Sequence, residues 1–376
     1  MRFPLHYLCI LLSLCSFSCQ AQDNELQANI LPDAKAVRFE LVTDGLRNPW
    51  GMAFLSEDEM LVTEKNGRII RIKGGQIIDR DVKGGPDGIT QGQGGLMDIM
   101  LHPDFANNQW VYFTYVSNEG QGSGGMTAVS RAKWNGSAFF DHTQLYKGSP
   151  NTRAGQHFGS RLSFDREGYL YFTIGDRGQR DRNPQDITRD GGKVYRIHED
   201  GRIPADNPFV GRNNAREAIY SYGHRNPQGM ALQPGTGDLW THEHGPRGGD
   251  EVNVIKKGAN YGWPVISYGI NYSGTRFTNI TEKEGMEQPV TYYKPSIAPC
   301  GMDFIEGNTY PGWQGHLLVG SLKYNYIVLC HINGNTITKQ ERIAEGIGRV
   351  RSVKQGLDGY IYVGVEGKGL FRLMPN

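Results

Sequence analysis

The stretch "PWGMAFLSEDEMLVTEKNGRIIRIK", residues 49–73, decides the fold. It holds three short runs of alternating or β-branched residues, at 51–55, 60–64 and 68–72, and polar turn residues separate them. Short runs of this kind between turn residues are typical of antiparallel hairpins. The stretch therefore predicts a small antiparallel sheet.

The same pattern recurs five more times along the chain. The copies read "GGLMDIMLHPDFANNQWVYFTYV" (94–116), "GSRLSFDREGYLYFTIGD" (159–176), "QGMALQPGTGDLWTHEHG" (228–245), "CGMDFIEGNTYPGWQGHLLVGSLKYNYIVLCHI" (300–332) and "RSVKQGLDGYIYVGVEGKGLFRLM" (351–374). Aligning their first strands superposes Met52, Met97, Leu162, Met230, Met302 and Val353, at intervals of 45 to 72 residues. A constant strand core with loops of variable length is typical of propeller blades.

The two ends of the repeat region indicate a closed ring. The last copy contains only three strands, and an unpaired strand, "AVRFELV" at 36–42, precedes the first copy. In a ring this strand completes the last blade, which leaves no free sheet edge. We therefore predict an all-β fold over residues 36–376: a six-bladed β-propeller of four-stranded antiparallel blades, closed by an N-terminal strand. A β-sandwich with long loops is the alternative, but it does not account for six aligned copies.

The N-terminus has the features of an export signal. Residues 5–22, "LHYLCILLSLCSFSCQAQ", follow a basic start and form an apolar run too short to span a bilayer. We predict a secretory signal at 1–21, a linker at 22–35 and a periplasmic or secreted protein without a membrane span. Attachment of a lipid at Cys19 is the alternative.

Charge and cysteine content narrow the classes of function. The formal net charge is +1, from 40 basic and 39 acidic residues, which argues against a nucleic-acid partner. Of the five cysteines, Cys300 and Cys330 lie outside the predicted signal. Two cysteines do not make a disulfide framework, and their spacing leaves both a bridge and two free thiols open.

The repeat register gathers polar residues at one mouth of the ring. The loop entering each first strand and the turn between the second and third strands open on the same face. The entry positions are Asn48, Gln93, His157, Arg225, Asn226, Ala298, Arg349 and Arg351, and the turns add Glu64, Asp176, Glu243, His244, Lys323 and Glu366. Each residue alone is most simply a solvated loop residue, and the shared register is what points to a site.

Two kinds of chemistry follow from these residue types. Arginines and a lysine on a nearly neutral protein suit an anionic ligand with several carboxylates or phosphates. A carboxylate beside His157 would orient the imidazole as a general base requires, and Asp176 lies at the other end of the same hairpin. A purely structural hydrogen bond between them is the alternative.

The stretch "HEHGPRGGDEVNVIKKGANYGWP" (242–264) is rich in glycine between strands. Main-chain carbonyls and Glu251 are oxygen ligands of the kind that calcium takes, although loops of this composition usually only turn.

Several motifs resemble one known family. "HFGSRL", "YGHRNPQGMA", "EHGPRGGDEVN", "NYGWP" and "GRVRSV", in this order, resemble the soluble quinoprotein sugar dehydrogenases, in particular the aldose sugar dehydrogenases that depend on pyrroloquinoline quinone (PQQ). The resemblance covers nearly all of the chain after the predicted signal. It implies a six-bladed propeller that oxidises aldoses at the anomeric carbon to lactones, with a quinone or dye as electron acceptor.

The resemblance also implies roles for individual residues. His157 would be the general base, supported by Asp176, and Arg225 would serve both catalysis and cofactor binding. The other PQQ ligands would be Gln93, Asn226, Tyr272, Lys323, Arg349 and Arg351. One calcium ion would lie against the cofactor at Gly245 and Pro246, and a second, structural one at Glu251 and Tyr261.

One departure from the family pattern concerns His244, which stands where the glucose-specific branch has glutamine. The inserts that shape sugar recognition and subunit contact in that branch also look shorter here. The resemblance therefore implies a monomer that accepts a range of aldoses.

Two other functions remain as alternatives. A calcium-dependent lactonase on a six-bladed propeller would need metal-binding carboxylates on the axis, where this sequence places arginines. A binding propeller without catalysis would be expected to lack the general base.

Overall fold

The computed structural model describes residues 37–375, and the ring predicted from the repeats is confirmed. Six four-stranded antiparallel sheets form the blades. The predicted signal, Cys19 and the whole predicted linker lie outside the described residues.

Each blade begins with the innermost strand. Blade 1 comprises β2 (Pro49–Phe54), β3 (Glu59–Glu64), β4 (Ile69–Lys73) and β5 (Gln76–Asp79). Blade 2 comprises β6 (Leu96–Leu101), β7 (Trp110–Ser117), β8 (Met126–Trp134) and β9 (Phe139–Lys147), with the short helix α1 (Phe105–Asn108) between its first two strands. Blade 3 comprises β10 (Leu162–Phe164), β11 (Leu170–Ile174), β12 (Lys193–Ile197) and β13 (Ile219–Tyr222).

The second half of the ring repeats this arrangement. Blade 4 comprises β14 (Pro227–Leu232), β15 (Leu239–Glu243), β16 (Asp250–Val254) and β17 (Thr291–Tyr293). Blade 5 comprises β18 (Pro299–Phe304), β19 (Leu317–Ser321), β20 (Ile327–Asn333) and β21 (Thr336–Ile343). Blade 6 comprises β22 (Val350–Gln355), β23 (Ile361–Val365), β24 (Gly369–Met374) and the N-terminal strand β1 (Arg38–Thr43).

The N-terminal strand closes the ring as the sequence predicts. β1 pairs antiparallel with β24, with Arg38 opposite Met374 and Phe39 opposite Leu373. The sixth blade is therefore built from both ends of the described chain. Its outer strand, β1, is far away in sequence from the other three strands.

A hydrophobic core lies at each interface between neighbouring blades. The first strands are buried along most of their length because both faces of each blade pack against another blade. Glycine allows the closest approaches: a Cβ atom on Gly51 would lie 2.7 Å from the main-chain nitrogen of Ile99 in blade 2. Blade 5 meets blade 6 in the same way, where a Cβ on Gly301 would lie 2.6 Å from the nitrogen of Val353.

The side chain of Arg161, from the start of blade 3, lies across the axis of the ring. Its guanidinium contacts each of the other five blades. The partners are the main-chain oxygens of Trp50, Gln228 and Arg351 at 2.8–3.1 Å, Asp98 Oδ1 at 3.1 Å and Cys300 Sγ at 3.8 Å. Arg161 lines a cavity of about 520 Å³ at one mouth, and its three main-chain acceptors line a second cavity at the other. The arginine therefore lies between the two cavities and links all six blades.

Cys300 and Cys330 are both buried and free, which decides between the alternatives left open by their spacing. Among residues 37–375, no helix has the length and hydropathy needed to cross a bilayer.

Candidate active site

A cavity of about 490 Å³ opens at the mouth where the entry loops and the second turns meet. Seven of the positions that the repeat register predicts for this mouth line it: Asn48, Gln93, His244, Ala298, Arg349, Arg351 and Glu366. Trp50, Lys65, Gln228 and Leu322 complete much of the wall. The volume falls within the range of roughly 300–1,000 Å³ that is usual for small-molecule sites.

The cavity carries an excess of positive charge. Arg349 Nε and Arg351 Nε donate to the two oxygens of Glu366, at 2.9 and 2.7 Å. Burial opposes ionisation of Glu366, but the charge of Arg351 and the hydrogen bonds from both arginines hold the pKa of this carboxyl below its usual range. One carboxylate cannot neutralise two guanidinium groups and the nearby Lys65, so the wall is suited to an anion.

His157 and Asp176 meet beside this cavity. Nδ1 of His157 lies 2.6 Å from Oδ1 of Asp176, and the carboxylate is only 1% exposed while the imidazole is 15% exposed. The hairpin of β10 and β11 brings them together, since His157 precedes the first strand and Asp176 follows the second. Because the ionised carboxylate can only accept, Nδ1 carries the proton and Nε2 is left as the basic nitrogen.

Two other groups hold the Asp176 carboxylate in place. Trp263 Nε1 donates to Oδ2 at 2.9 Å, and the main-chain N–H of Gly178 donates to Oδ1 at 2.7 Å. Burial opposes the charge, but the hydrogen bond from His157, with the charges of His157 and Arg225, keeps the pKa of Asp176 below its ordinary value. The carboxylate is therefore an ionised and fixed partner for the imidazole.

The His157 imidazole is poised in its neutral form. Burial lowers its pKa and Arg225 lowers it further, while the hydrogen bond to Asp176 acts in the opposite direction, and the net shift is downward. The main-chain N–H of His157 donates to Gln93 Oε1 at 2.9 Å, and its backbone has φ of 58°, in the left-handed region. Non-glycine residues adopt this conformation only where the surroundings enforce it.

Arg225 and Asn226 form hydrogen bonds within the protein beside the site, and neither lines the main cavity. Arg225 Nη1 donates to the main-chain oxygen of His244 at 2.8 Å, and its guanidinium carbon lies 5.4 Å from the centre of the Trp263 ring. Asn226 is buried, and its Oδ1 accepts from the main-chain N–H of Gly159 at 3.0 Å. Asn226 thus holds the loop that carries His157 against blade 4, and Arg225 holds the chain at His244.

His244 forms the wall between this cavity and a smaller one. Its Nε2 donates to the main-chain oxygen of Pro299 at 2.7 Å. Burial, together with His242 and the charge of Arg225, lowers the pKa of His244 well below its ordinary value, so the ring is neutral.

The small cavity has a volume of about 10 Å³, the size of one ion or one water molecule. Gly245, Glu251 and Tyr261, three of the four predicted calcium ligands, line it together with Glu243. Glu243 and Glu251 are directly opposite each other in strands β15 and β16. Burial and the charge of Glu243 raise the pKa of Glu251 to about 8.

The Tyr261 hydroxyl and the Pro246 main-chain oxygen already form hydrogen bonds within the protein. The Tyr261 hydroxyl donates to the main-chain oxygen of Val254 at 2.5 Å and accepts from the N–H of Lys256 at 2.9 Å. The Pro246 oxygen accepts from Ser296 Oγ at 2.9 Å. Within residues 37–375, no three side chains of His, Cys, Asp or Glu are grouped to hold a metal, so a cation here would need main-chain oxygens.

Comparison with known proteins identifies the family of this site. Residues 46–372 match the family described as Glucose / Sorbosone dehydrogenase. The chain belongs to this family. A relative from Escherichia coli K12, the aldose sugar dehydrogenase YliI, is 40% identical over 333 residues, which cover 87% of this chain and 89% of that protein.

Solved structures of glucose/sorbosone dehydrogenase relatives extend over the whole ring. The soluble aldose sugar dehydrogenase from Escherichia coli, in its apo form, superposes with a TM-score of 0.87 at 39% identity, covering 91% of this chain and all (100%) of that one. The PQQ-bound aldose sugar dehydrogenase from Streptomyces coelicolor superposes with a TM-score of 0.74 at 25% identity, covering 91% and 99%.

Two of the predicted cofactor ligands lie away from the cavity wall of this family member. Tyr272 is 75% exposed on the long loop between β16 and β17. Lys323 is exposed in the turn after β19, with Nζ 4.7 Å from the centre of the Tyr324 ring, while its neighbour Leu322 reaches the wall. Gln93, Arg349 and Arg351 line the cavity itself, and the roles of all these residues stay predictions.

Three residues with important contacts in the structure were not predicted from the sequence. Trp263 fixes Asp176, Arg177 follows Asp176 and is fully buried, and Arg161 lies on the axis. Only Arg161 left a signal, because a charge one place before the aligned Leu162 is unusual in an otherwise apolar first strand. The contacts of the other two depend on how separate loops meet.

Proposed function

We propose that this protein is a PQQ- and calcium-dependent aldose sugar dehydrogenase that oxidises the anomeric carbon of its substrate to a lactone. The observation that carries the proposal is the hydrogen-bonded pair of His157 and Asp176 beside a cavity with surplus positive charge. Relatives named as aldose sugar dehydrogenases and a PQQ-bound structure support it.

The residues present fit a planar tricarboxylate such as PQQ. The side chain of Arg349 is 53% exposed, so its guanidinium can turn from Glu366 towards a ligand. The side chain of Arg351 is more buried and is held by its ion pair with Glu366. Gln93, Lys65 and the neutral His244 supply further polar contacts along the wall. Of the remaining predicted ligands, Arg225 and Asn226 would shape the edge of the site, while Lys323 and Tyr272 would have to move to reach it.

The chemistry of the chain centres on one proton. Nε2 of His157 accepts the proton of the anomeric hydroxyl, because Nδ1 is committed to Asp176. The carboxylate of Asp176 stabilises the imidazolium that forms, and Arg225 disfavours protonation of the ring in the absence of substrate. When bound, PQQ supplies the acceptor for the hydride that leaves the anomeric carbon as the carbon–oxygen double bond of the lactone forms.

One calcium ion would be held beside the cofactor by main-chain oxygens near Gly245 and Pro246, and a second, structural ion by Glu251 near Tyr261. The small cavity bounded by Gly245, Glu251 and Tyr261 has room for one ion beside the Glu251 carboxylate. The calcium ion beside the cofactor would supply a Lewis acid that polarises the quinone.

The structure gives no support to the lactonase alternative. Glu366 is the single carboxylate in the described wall of the main cavity, and two arginines engage it. A non-catalytic binding propeller is not favoured either, since His157 has both the partner and the neutral state that a base requires.

Reconstitution tests the proposal. Purified apoprotein should change its absorbance spectrum on addition of PQQ, and it should reduce a dye with a panel of aldoses only when PQQ and calcium are both present. His157→Ala should lower turnover by about 10² or more while PQQ still binds. His198→Ala, a part-exposed histidine at the end of blade 3, serves as the matched control. A lack of any spectral change with PQQ would refute the cofactor assignment.

We further propose that the protein is exported and acts as a monomer. The apolar run at 5–22 supports export. The mature N-terminus, read by mass spectrometry, should lie near residue 22, and light scattering should return the mass of one chain. A lipid on Cys19 would contradict a mature N-terminus near residue 22, and a dimer would contradict the monomer.

A further inference from the structure

Arg177 is a fully buried arginine directly after Asp176, and the proposed reaction does not use it. Its backbone φ is 55°, so it shares the left-handed conformation of His157. One of these two residues, His157, belongs to the hydrogen-bonded pair with Asp176, and the other directly follows Asp176. Their left-handed conformations indicate a locally constrained structure.

The guanidinium of Arg177 grips the segment that carries His157. Nη1 donates to the main-chain oxygen of Gln156, and Nη2 donates to that of Ala154 at 2.7 Å. The guanidinium carbon lies 3.4 Å from the centre of the Phe158 ring. The contacts thus fall on residues immediately before and after His157.

The glycines that flank Asp176 and Arg177 bring the turn close to the same segment. A Cβ atom on Gly175 would lie 2.4 Å from the main-chain oxygen of His157, and one on Gly178 would lie 2.4 Å from Nε2 of Gln156. The four residues 175–178, "GDRG", therefore pack tightly against residues 156 and 157.

We propose that Arg177 is a positioning residue for the proposed general base: it holds the main chain before His157 and the Phe158 ring after it, while Asp176 holds the imidazole. Arg177 therefore fixes the backbone of the segment, and its neighbour Asp176 fixes the side chain of His157. This inference rests on the proposed function, because it assigns His157 its role as a base.

The cost of the arrangement argues against simple packing. Burial lowers the pKa of Arg177 to about 9, which still leaves the guanidinium charged at neutral pH, and its Nε atom has no hydrogen-bond partner. An apolar side chain could occupy the same space without burying a charge. Unlike an apolar side chain, the arginine donates hydrogen bonds to the main-chain oxygens of Ala154 and Gln156, just before His157.

Arg177 also acts on His157 through its charge. The charged groups that face the imidazole are Asp176, which favours its protonation, and Arg225 and Arg177, which oppose it. Loss of the Arg177 charge should therefore raise the pKa of His157 and move the acid limb of kcat to higher pH. A side chain that only filled space would leave this limb where it is.

The test compares three variants of the full chain reconstituted with PQQ and calcium. Arg177→Met should lower kcat on the order of 10- to 100-fold, while KM for the aldose and Kd for PQQ change less than about threefold, as expected for a displaced base. Its acid limb should move to higher pH. Arg177→Lys keeps the charge, so it should leave the acid limb in place and recover part of kcat. Arg182→Met, an exposed arginine of the same loop, is the control and should behave as wild type.

The possible failures can be told apart. If wild type neither binds PQQ nor turns over aldoses, the proposed function fails. If wild type is active and Arg177→Met retains its kcat and pH profile, the positioning role is wrong. If neither Arg177→Met nor Arg177→Lys folds, as judged by circular dichroism, Arg177 is a residue of the blade as a whole, and the specific role is likewise overturned.

Discussion

Nδ1 of His157 lies 2.6 Å from Oδ1 of Asp176, and one β-hairpin separates the two residues in the sequence. Trp263 donates to the other oxygen of the carboxylate, and Gly178 donates to Oδ1 as well. The geometry fixes the tautomer of the imidazole, and the first prediction follows from it.

Asp176→Asn should lower kcat by about 10²–10⁴, because an amide can hold either tautomer and cannot stabilise the imidazolium. PQQ binding should be little changed, since Asp176 is buried behind His157 and does not line the main cavity. Steady-state kinetics and a PQQ titration measure the two effects. Asp181→Asn, in the exposed part of the same loop, should be active, and equal losses in both variants would contradict the assigned role.

The second prediction concerns Arg161 and the stability of the ring. Arg161→Met should lower the free energy of unfolding by about 3–5 kcal/mol, because it leaves Asp98 buried without its cation and four other blades without their shared donor. Asp98→Asn together with Arg161→Met should cost less than the sum of the single changes, since no charge is then left unpaired. Urea unfolding of the single and double variants measures the coupling, and strictly additive effects would show that the pair is not coupled.

The third prediction concerns calcium and Glu251. A chelator should lower the Tm of the calcium-loaded protein, because bound ions stabilise the folded state by mass action. Glu251→Gln should reduce this shift, as a neutral amide is a poorer ligand beside Glu243. Glu282→Gln, on the exposed loop, is the control, and an unchanged calcium response in Glu251→Gln would remove this residue from the site.

The fourth prediction concerns acid stability and His242. Burial lowers the pKa of His242 to about 3, whereas in the unfolded chain it is near its ordinary value of about 6.5. Between these values the unfolded chain binds more protons, so the contribution of His242 to stability is lost as the pH falls from about 6.5 towards 3.

Urea unfolding at pH 7, 5.5 and 4.5 can isolate this contribution. His242→Gln should lose less stability than wild type over this range, while His198→Gln should follow wild type. An identical pH dependence in wild type and His242→Gln would contradict the prediction.

The fold could be predicted because its signal is local and repeated. Each blade is a set of short strands between turns, and the three-stranded last copy with the lone strand before the first pointed to the closure that β1 and β24 form. Strand positions in the first blade agree within two residues, since side-chain alternation and turn residues are properties of neighbouring positions.

The site could be predicted only where the register carries it. Asn48, Gln93, Arg349 and Glu366 reach one cavity because blade geometry places equivalent positions at the same mouth. Tyr272 came from motif resemblance alone and lies exposed, and Lys323 is exposed as well, although the register also placed it at this mouth. The path of a long loop has no period, so its side chains cannot be placed by counting.

By itself, the sequence determined the number of blades, the way the ring closes and the meeting of His157 with Asp176, because one hairpin returns the chain to the face it left. Only the tertiary structure decided that Arg177 grips the segment around His157, that Trp263 fixes Asp176, and that Arg161 joins six blades at the axis. Those contacts join residues whose separation in sequence is unrelated to the strand repeat, and they depend on the packing of whole blades and loops in three dimensions.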